Sequence, residues 1–256
     1  MALAHNKRIH VGCSGWVYRH WKGDFYPADL PQKRWFERYA EAFDTVEINA
    51  SFYRLPLATT FNGWREKAPP GFRYAVKVNR FITHMKKLID CEHHMDEFIV
   101  LARKLGPTLG PLLYQLPPSL KRNEERLDRF LARLPKDLEH VVEFRSRDWY
   151  EEGVLAVLDG RGVGFVAHDL VGLESPRWAS GRTAYVRFHG TAGKYRGRYS
   201  DAQMRDWAQW LHQQTMLGRS AWAFFNNDIG GDAIEDARAL RRAVADLRQP
   251  PACPPA

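Results

Sequence analysis

Five pairs of polar residues stand out because each is separated by a single residue: Glu47 and Asn49, Lys77 and Asn79, Glu143 and Arg145, Arg187 and His189, and Asn226 and Asp228. Each pair closes a short run of β-branched and aromatic residues. In an extended strand, alternate side chains point to opposite faces, so each pair shares one face. Gln115 and His168-Asp169 close two further runs of the same kind. Two carboxylates (Glu47, Glu143) beside an imidazole (His189) are the groups of acid–base catalysis, and a shared site drives two carboxyl pKa values apart. Lys77, Arg145 and Arg187 are anion-binding groups, and Asn49, Gln115 and Asn226 add neutral hydrogen bonds.

Eight such runs, Ile9–Cys13, Thr45–Asn49, Arg73–Asn79, Pro111–Leu116, His140–Arg145, Gly164–Asp169, Thr183–His189 and Ala221–Asn226, alternate with mostly helical patterns. Trp35, Phe36, Tyr39, Ala42 and Phe43 carry a spacing of three and four. So do Phe98, Leu101, Ala102 and Leu105, then Leu127, Phe130, Leu131 and Leu134. Strands that alternate with helices over 256 residues predict an α/β fold, a single (β/α)8 TIM-type barrel with parallel strands. The alternative is an open doubly wound sheet. It wants a glycine-rich turn after the first strand, and Gly12-Cys13-Ser14-Gly15-Trp16 does not spell one. Residues 1–248 form one expected domain, and the Pro-rich residues 249–256 an expected disordered tail.

The polar set then faces the barrel axis at the carboxyl ends of the strands, where barrel enzymes hold their sites. Val46, Ile48, Val76, Val78, Val142, Phe144, Val186 and Phe188 face the helices. Barrel interiors are ordinarily apolar and an unpaired buried charge costs several kcal/mol, so this polar ring is expected to bind a ligand. A self-satisfied ion network is the competing reading.

Lysine and arginine outnumber aspartate and glutamate by 38 to 30, a formal charge of +8, which favours an acidic partner. The excess is local. No acidic residue lies between Glu174 and Asp201, where Arg177, Arg182, Arg187, Lys194, Arg196 and Arg198 fall, and Lys77, Arg80, Lys86 and Lys87 precede Asp90. The stretch Gly190–Tyr199 carries three glycines with Lys and Arg and suggests a phosphate cradle, without Walker spacing. Trp16, Tyr18, Trp21, Phe25 and Tyr26 interleave with Arg19 and Lys22 after the first strand. They either stack on a ligand or cover the barrel top as a satellite core.

Three cysteines (Cys13, Cys91, Cys253) make neither a disulfide framework nor a zinc motif, and the first eight residues have no apolar signal core. A cytoplasmic protein is expected, with no membrane-spanning run. A divalent metal held by Glu47, Glu143, His168, Asp169, His189 and Asp228 is chemically possible but not favoured, because Lys77, Arg145 and Arg187 sit among those ligands.

Several motifs resemble one family across nearly the whole chain. They are Val11-Gly12-Cys13-Ser14-Gly15-Trp16, Trp21-Lys22-Gly23-Asp24-Phe25-Tyr26-Pro27, Val46-Glu47-Ile48-Asn49 with Ser51-Phe52-Tyr53-Arg54, Thr83-His84, Gln115-Leu116-Pro117-Pro118, Val142-Glu143-Phe144-Arg145 with Trp149, Val186-Arg187-Phe188-His189-Gly190, and Phe225-Asn226-Asn227-Asp228. The resemblance is to the YecE-like proteins, domain of unknown function seventy-two. It implies a TIM-type barrel and no settled activity. Cys13, where the family commonly has Thr, and Ser146-Arg147-Asp148 ahead of Trp149 depart from the pattern without touching the strand-end charges.

The expected site therefore comprises Glu47, Glu143 and His189 as acid–base groups. Asn49, Lys77, Gln115, Arg145, Arg187, Asn226, Trp16 and Tyr53 are expected to bind substrate. Three functions fit: an enzyme acting on an anionic small molecule or phosphate ester, a nucleic-acid-binding or endonuclease-like protein, and a non-catalytic scaffold.

Overall fold

A computed structural model of the protein describes residues 9–193 and 195–247. Eight strands form a closed barrel in sequence order: β1 (Ile9–Cys13), β2 (Thr45–Ile48), β3 (Arg73–Lys77), β4 (Leu109–Gln115), β5 (His140–Glu143), β6 (Gly164–His168), β7 (Thr183–Phe188) and β8 (Ser220–Phe225). Every neighbouring pair is parallel, and β1 closes on β8 through the register Ile9 to Ala221 up to Cys13 to Phe225. Parallel neighbours require crossovers. These are α1 (Trp35–Ala42), α2 (Ala50–Tyr53) with α3 (Ala58–Lys67), α4 (Glu92–Ala102), α5 (Glu124–Leu131), α6 (Glu152–Gly160) and α7 (Asp201–Met216), and α8 (Asp232–Asp246) follows β8. The TIM-type barrel expected from the alternation is the fold observed.

Local chemistry sets several ends. Ser200 caps α7, accepting from the Gln203 amide while the Gln203 side chain accepts from the Ser200 amide, a reciprocal capping box. Asn123 caps α5 through the Arg126 amide, and α5 stops before Pro135. The sixth crossover, residues 169–182, holds no helix. Gly172, Pro176 and Gly181 interrupt it, and Trp178 packs edge-on against Phe165, covering the flank that a helix would otherwise cover.

Two apolar layers follow from the period of two. Val46, Ile48, Val76, Val78, Val142, Phe144, Val186 and Phe188 all lie in the layer between strands and helices, as the alternation requires. Inside the barrel, Ala75, Leu113, Val141, Val166, Tyr185, Trp222 and Phe224 form a separate buried cluster. Trp222 stacks on His10 with ring centroids 4.0 Å apart. Each fully buried aromatic contributes about 2–3 kcal/mol. This plug closes the barrel beneath the polar ring.

Every strand from β2 to β8 ends one or two residues short of its expected limit. Asn49, Asp169, His189 and Asn226 thus begin their loops, and Asn79 and Arg145 stand second in theirs. The expected tail, residues 249–256, falls outside the described residues. No helix among the described residues is long and apolar enough to cross a membrane.

Candidate functional site

One residue organises the carboxyl end of the barrel. Arg187, on β7 and 1% exposed, donates from Nη1 to Glu143 Oε2 at 2.6 Å and from Nη2 to Glu47 Oε1 at 2.7 Å. Its guanidinium fork bridges β2 and β5 across the barrel. The Tyr185 hydroxyl, one step deeper on β7, donates to Glu47 Oε2 at 2.7 Å, and Asn49 Nδ2 donates to Glu47 Oε1 at 3.1 Å. Arg145 forms an ion pair with Glu143. Both carboxylates are fully buried.

Burial alone would raise both acids. For Glu47, Arg187 outweighs it, helped by Tyr185 and Lys77, and the carboxyl sits below its ordinary value. For Glu143, Arg145 and Arg187 outweigh burial further and hold the group well below 4.5. Two carboxylates here cancel two guanidiniums, and all four are close to fully buried.

His189 is also fully buried. Its Nε2 lies 2.9 Å from Arg145 Nη2 and its Nδ1 3.1 Å from the Arg187 carbonyl. A guanidinium only donates, so Nε2 accepts and Nδ1 carries the proton. Burial, then Arg145 and Arg187, bring the imidazole down to about 4 against the pull of Asp169. Asp169 is fixed in turn: Oδ1 accepts the His189 amide at 2.7 Å and Oδ2 accepts the Tyr199 hydroxyl at 2.5 Å. His168 lies deeper, its Nε2 3.0 Å from both the Phe144 carbonyl and the Tyr150 hydroxyl.

Lys77 stands apart from this locked floor. Its Nζ donates to Gln115 Oε1 at 2.6 Å and lies 4.1 Å from the centre of the Phe52 ring. Burial above all, then repulsion from Arg187, outweighs Glu143 and Glu47 and brings the amine down to about 7. Lys77 and Gln115 open onto a cleft of about 400 Å³ that Phe52, Tyr53, Arg80 and His84 also line. Tyr195 reaches the same cleft from the loop after β7, and its φ of 64° is uncommon for a residue with a side chain. His84, packed on Phe52 and bonded through Nδ1 to the Thr83 hydroxyl, is held near 4 by burial and by Lys77, Arg80 and Arg145.

The expected site residues therefore divide. Glu47, Asn49, Glu143, Arg145, Arg187 and His189 form one bonded network, and Lys77, Gln115 and Tyr53 line the adjoining cleft. Trp16 is not brought to either. It packs edge-on against Phe36 and Trp64, at the margin of the main core, which the loop after β1 joins through the fully buried Trp21 and Tyr26. Asn226 makes no side-chain hydrogen bond among the described residues. Its expected neighbour Asp228 instead turns to Trp21 Nε1 at 2.7 Å and His20 Nε2 at 3.0 Å.

The expected phosphate cradle also resolves differently. The amides of Gly190, Ala192, Tyr195 and Gly197 donate to Tyr199, Arg196, His189 and Asp232, so these four are not free to cradle an anion. Three arginines of the acid-free stretch are paired with carboxylates from elsewhere in the chain. Arg177 pairs with Asp206 and lies over Trp207, Arg198 pairs with Asp236, and Arg187 is buried in its clamp.

Arg80, His84, Phe52 and Tyr195 were not among the expected site residues. Arg80 stood in the second basic run and Thr83-His84 among the family motifs, but nothing in strand periodicity places a post-strand turn beside Lys77. Among the described residues no group of three His, Cys, Asp or Glu side chains is arranged to hold a metal ion.

Comparison with known proteins agrees with this architecture. The family described as protein of unknown function DUF72 matches residues 10–256. The chain belongs to the DUF72 family. The UPF0759 protein YunF of Bacillus subtilis is 25% identical over 273 residues, covering 91% of this chain and 93% of that protein. The UPF0759 protein YecE of Escherichia coli K12 is 32% identical over 146 residues, 57% of this chain and 51% of that protein. A DUF72 protein of Thermotoga maritima superposes with a TM-score of 0.84 at 27% identity, covering 93% of this chain and 99% of that one. A DUF72 protein of Enterococcus faecalis gives 0.81 at 18%, covering 93% and 96%, which speaks to the fold. This DUF72 chain thus shares its barrel with relatives whose names carry no activity.

Proposed function

We propose that this DUF72 protein is an enzyme that binds an anionic, phosphate-bearing substrate in the cleft beside β3 and β4. The observation that carries the reading is the Arg187 clamp. It consumes the negative charge of Glu47 and Glu143 at the floor and leaves Lys77 and Arg80 as the charged groups on the cleft. Among the described residues Nε of Arg145 and Nε of Arg187 are in addition buried donors with no acceptor, at the floor beside the cleft.

In this reading Glu47 and Glu143 position Arg187 and Arg145 and fix the local field. Proton transfer falls to groups that reach the cleft: Lys77, whose acidity lies near neutrality, and His84, which is neutral at pH 7. His189 positions Arg145.

The test is thermal unfolding with inorganic phosphate, sugar phosphates and chloride at matched ionic strength. A ligand that binds only the folded state raises the melting temperature in proportion to the logarithm of its concentration. Phosphate compounds are expected to stabilise the wild type beyond chloride, and Lys77→Met with Arg80→Ala to abolish the difference. Equal behaviour of phosphate and chloride on the wild type would end the reading.

A further inference from the structure

We infer that Lys77 is a nucleophile, and that the substrate class of this cleft is an anionic aldehyde or ketone, which Lys77 captures as an imine. The inference rests on the reading above only for the word anionic; the nucleophile stands on its own geometry.

Four observations place an amine where carbonyl chemistry needs one. Lys77 ends β3 at the mouth of the barrel, 8% exposed, so its Nζ is shielded from bulk water yet opens onto a cleft large enough for a small molecule. One side of Nζ faces the Phe52 ring at 4.1 Å, which leaves the other side for the cleft; the ring face itself favours the ammonium, and burial outweighs it. The hydrogen bond it does make is to Gln115 Oε1, a neutral acceptor, while the two carboxylates nearest in the fold are already clamped by Arg187. A lysine held for charge pairing would be expected to take a carboxylate partner; this one is denied it.

The charged and titratable groups around Lys77 come from every packed element. Glu47 lies on β2, Glu143 and Arg145 at the end of β5, Arg187 on β7, and His84 in the turn after β3. Arg187 and Arg145 favour the free amine and Glu47 and Glu143 oppose it. Burial decides the balance, and the amine sits near 7, about half of it neutral at pH 7. An ordinary lysine near 10.4 has a neutral fraction smaller by roughly a thousandfold at that pH.

The step balances without a further reactant. The nitrogen lone pair attacks the carbonyl carbon and forms a C–N bond, and the C–O π pair moves to oxygen, which takes a proton. The nitrogen gives up one proton to reach the carbinolamine; its lone pair then expels the hydroxyl, which leaves as water on taking the second proton lost from nitrogen, and the C=N bond remains. His84, neutral and on the same cleft, is the group that relays these protons, and Arg80 holds the substrate's anionic group. An imine so formed withdraws electrons from the adjacent carbon, which suits lyase or isomerase chemistry.

The experiment uses the full-length protein with two aldehydes, glyoxylate (anionic) and glycolaldehyde (neutral), and cyanoborohydride to reduce any imine to a stable secondary amine. Peptide mass spectrometry then gives the labelling rate of each lysine at pH 7. Lys77 is expected to react at least about tenfold faster than the exposed Lys104 and Lys121, with the larger rate for glyoxylate and with protection by inorganic phosphate. Fast glycolaldehyde labelling without glyoxylate preference or phosphate protection would uphold the nucleophile and overturn the anion site. Thermal stabilisation by phosphate with Lys77 labelled no faster than Lys104 would uphold the anion site and overturn the imine. Because the wild-type protein gives each of these readings, none depends on a variant that folds. Lys77→Arg, which keeps the charge, serves as the control that removes the mapped adduct.

Discussion

The Arg145 guanidinium lies 2.9 Å from Nε2 of His189, an arrangement that a protonated imidazole cannot share. Folding therefore selects the neutral ring. His189 titrates near 4 in the folded protein against an ordinary 6.5. The unfolded chain binds a proton that the folded one refuses, so stability is full above about pH 6.5 and falls as pH drops towards 4. His84 and His140, also held near 4, act in the same direction over the same window. Glu47 and Glu143, depressed below their ordinary values, extend the loss from about pH 4.5 downwards. Chemical denaturation from pH 8 to pH 4 is expected to show a decline that steepens below about pH 6.5, beyond the loss that Lys77 already contributes down to about pH 7. His189→Gln should reduce its slope by roughly one proton between pH 6.5 and 4. A flat profile to pH 5 would contradict the assignment.

Arg187 is the residue whose loss the fold should tolerate least. Its truncation leaves two fully buried carboxylates without their shared partner. Breaking a buried ion pair from one side costs about 3–5 kcal/mol. Arg187→Met is expected to destabilise the protein by at least that much at pH 7, and the cost should shrink at low pH as the carboxylates take up protons. Arg187→Lys should recover little, because one ammonium cannot make the two forked bonds to Glu47 and Glu143. The triple variant with Glu47→Gln and Glu143→Gln should recover more than Arg187→Lys does.

How much of this could be read from the chain beforehand follows from periodicity. The period of two fixes which face each strand residue takes, and a closed barrel sends one face to the axis. Glu47, Glu143 and Arg187 were therefore legible as a convergent set. Their mutual pairing was legible only as the competing reading of an ion network, and which groups pair was not, because register between β2, β5 and β7 across the barrel is a tertiary quantity. The turn after β3 that brings His84 and Arg80 to Lys77 is a single π-helical turn, Phe81–Met85, with no sequence period to reveal it. Charge was the least transferable signal. Arg177 and Arg198 lie in an acid-free stretch, yet Asp206 and Asp236 meet them from α7 and α8. Trp16 failed for the same reason: an aromatic after a barrel strand serves a ligand or a neighbouring helix equally well, and only packing decides.

Lys77 reverses the usual expectation for removing a charge. Its amine lies near 7 folded against 10.5 ordinarily, so the folded state pays for burying the ammonium at and below neutrality, and that cost fades as pH rises towards 10.5. Lys77→Met keeps the apolar stem against Phe52 and removes the charge. It is expected to raise the melting temperature at pH 7, with a smaller gain at pH 10, while eliminating stabilisation by phosphate. A variant less stable than wild type at both pH values would show that the bond to Gln115 outweighs burial.

Pairing of the basic stretch predicts weak binding of nucleic acid. With Arg177, Arg187 and Arg198 already engaged by carboxylates, the acid-free stretch offers fewer cations to displace counterions from a phosphate backbone than its sequence suggests. A labelled single-stranded oligonucleotide should bind with a log–log salt slope no steeper than about −2, since each phosphate contact on a single strand contributes about −0.7. Asp206→Asn and Asp236→Asn, which release Arg177 and Arg198, should steepen it. A wild-type slope near −5 would revive the nucleic-acid reading.

Gly190 ties the floor to the cleft. It follows His189, has a φ of 97°, and a Cβ built there would fall 2.1 Å from the Arg196 carbonyl oxygen. Its amide donates to the Tyr199 hydroxyl, which in turn bonds Asp169, the acceptor of the His189 amide. An alanine meets both an unfavourable backbone region, worth about 1–3 kcal/mol, and a clash with backbone that has no flexible end to yield. The loop must therefore move, and Tyr195 moves with it, because its own amide is bonded to the His189 carbonyl. Gly190→Ala is expected to lower stability by more than the dihedral cost alone and to weaken phosphate binding without altering any charged group. Gly193→Ala, on the same loop with a φ of 115° but with nothing within 4 Å of its Cβ, should pay only the dihedral cost and leave phosphate binding close to wild type. Equal losses for the two variants, measured by urea denaturation and by phosphate-induced shifts in melting temperature, would show that the loop is not coupled to the site.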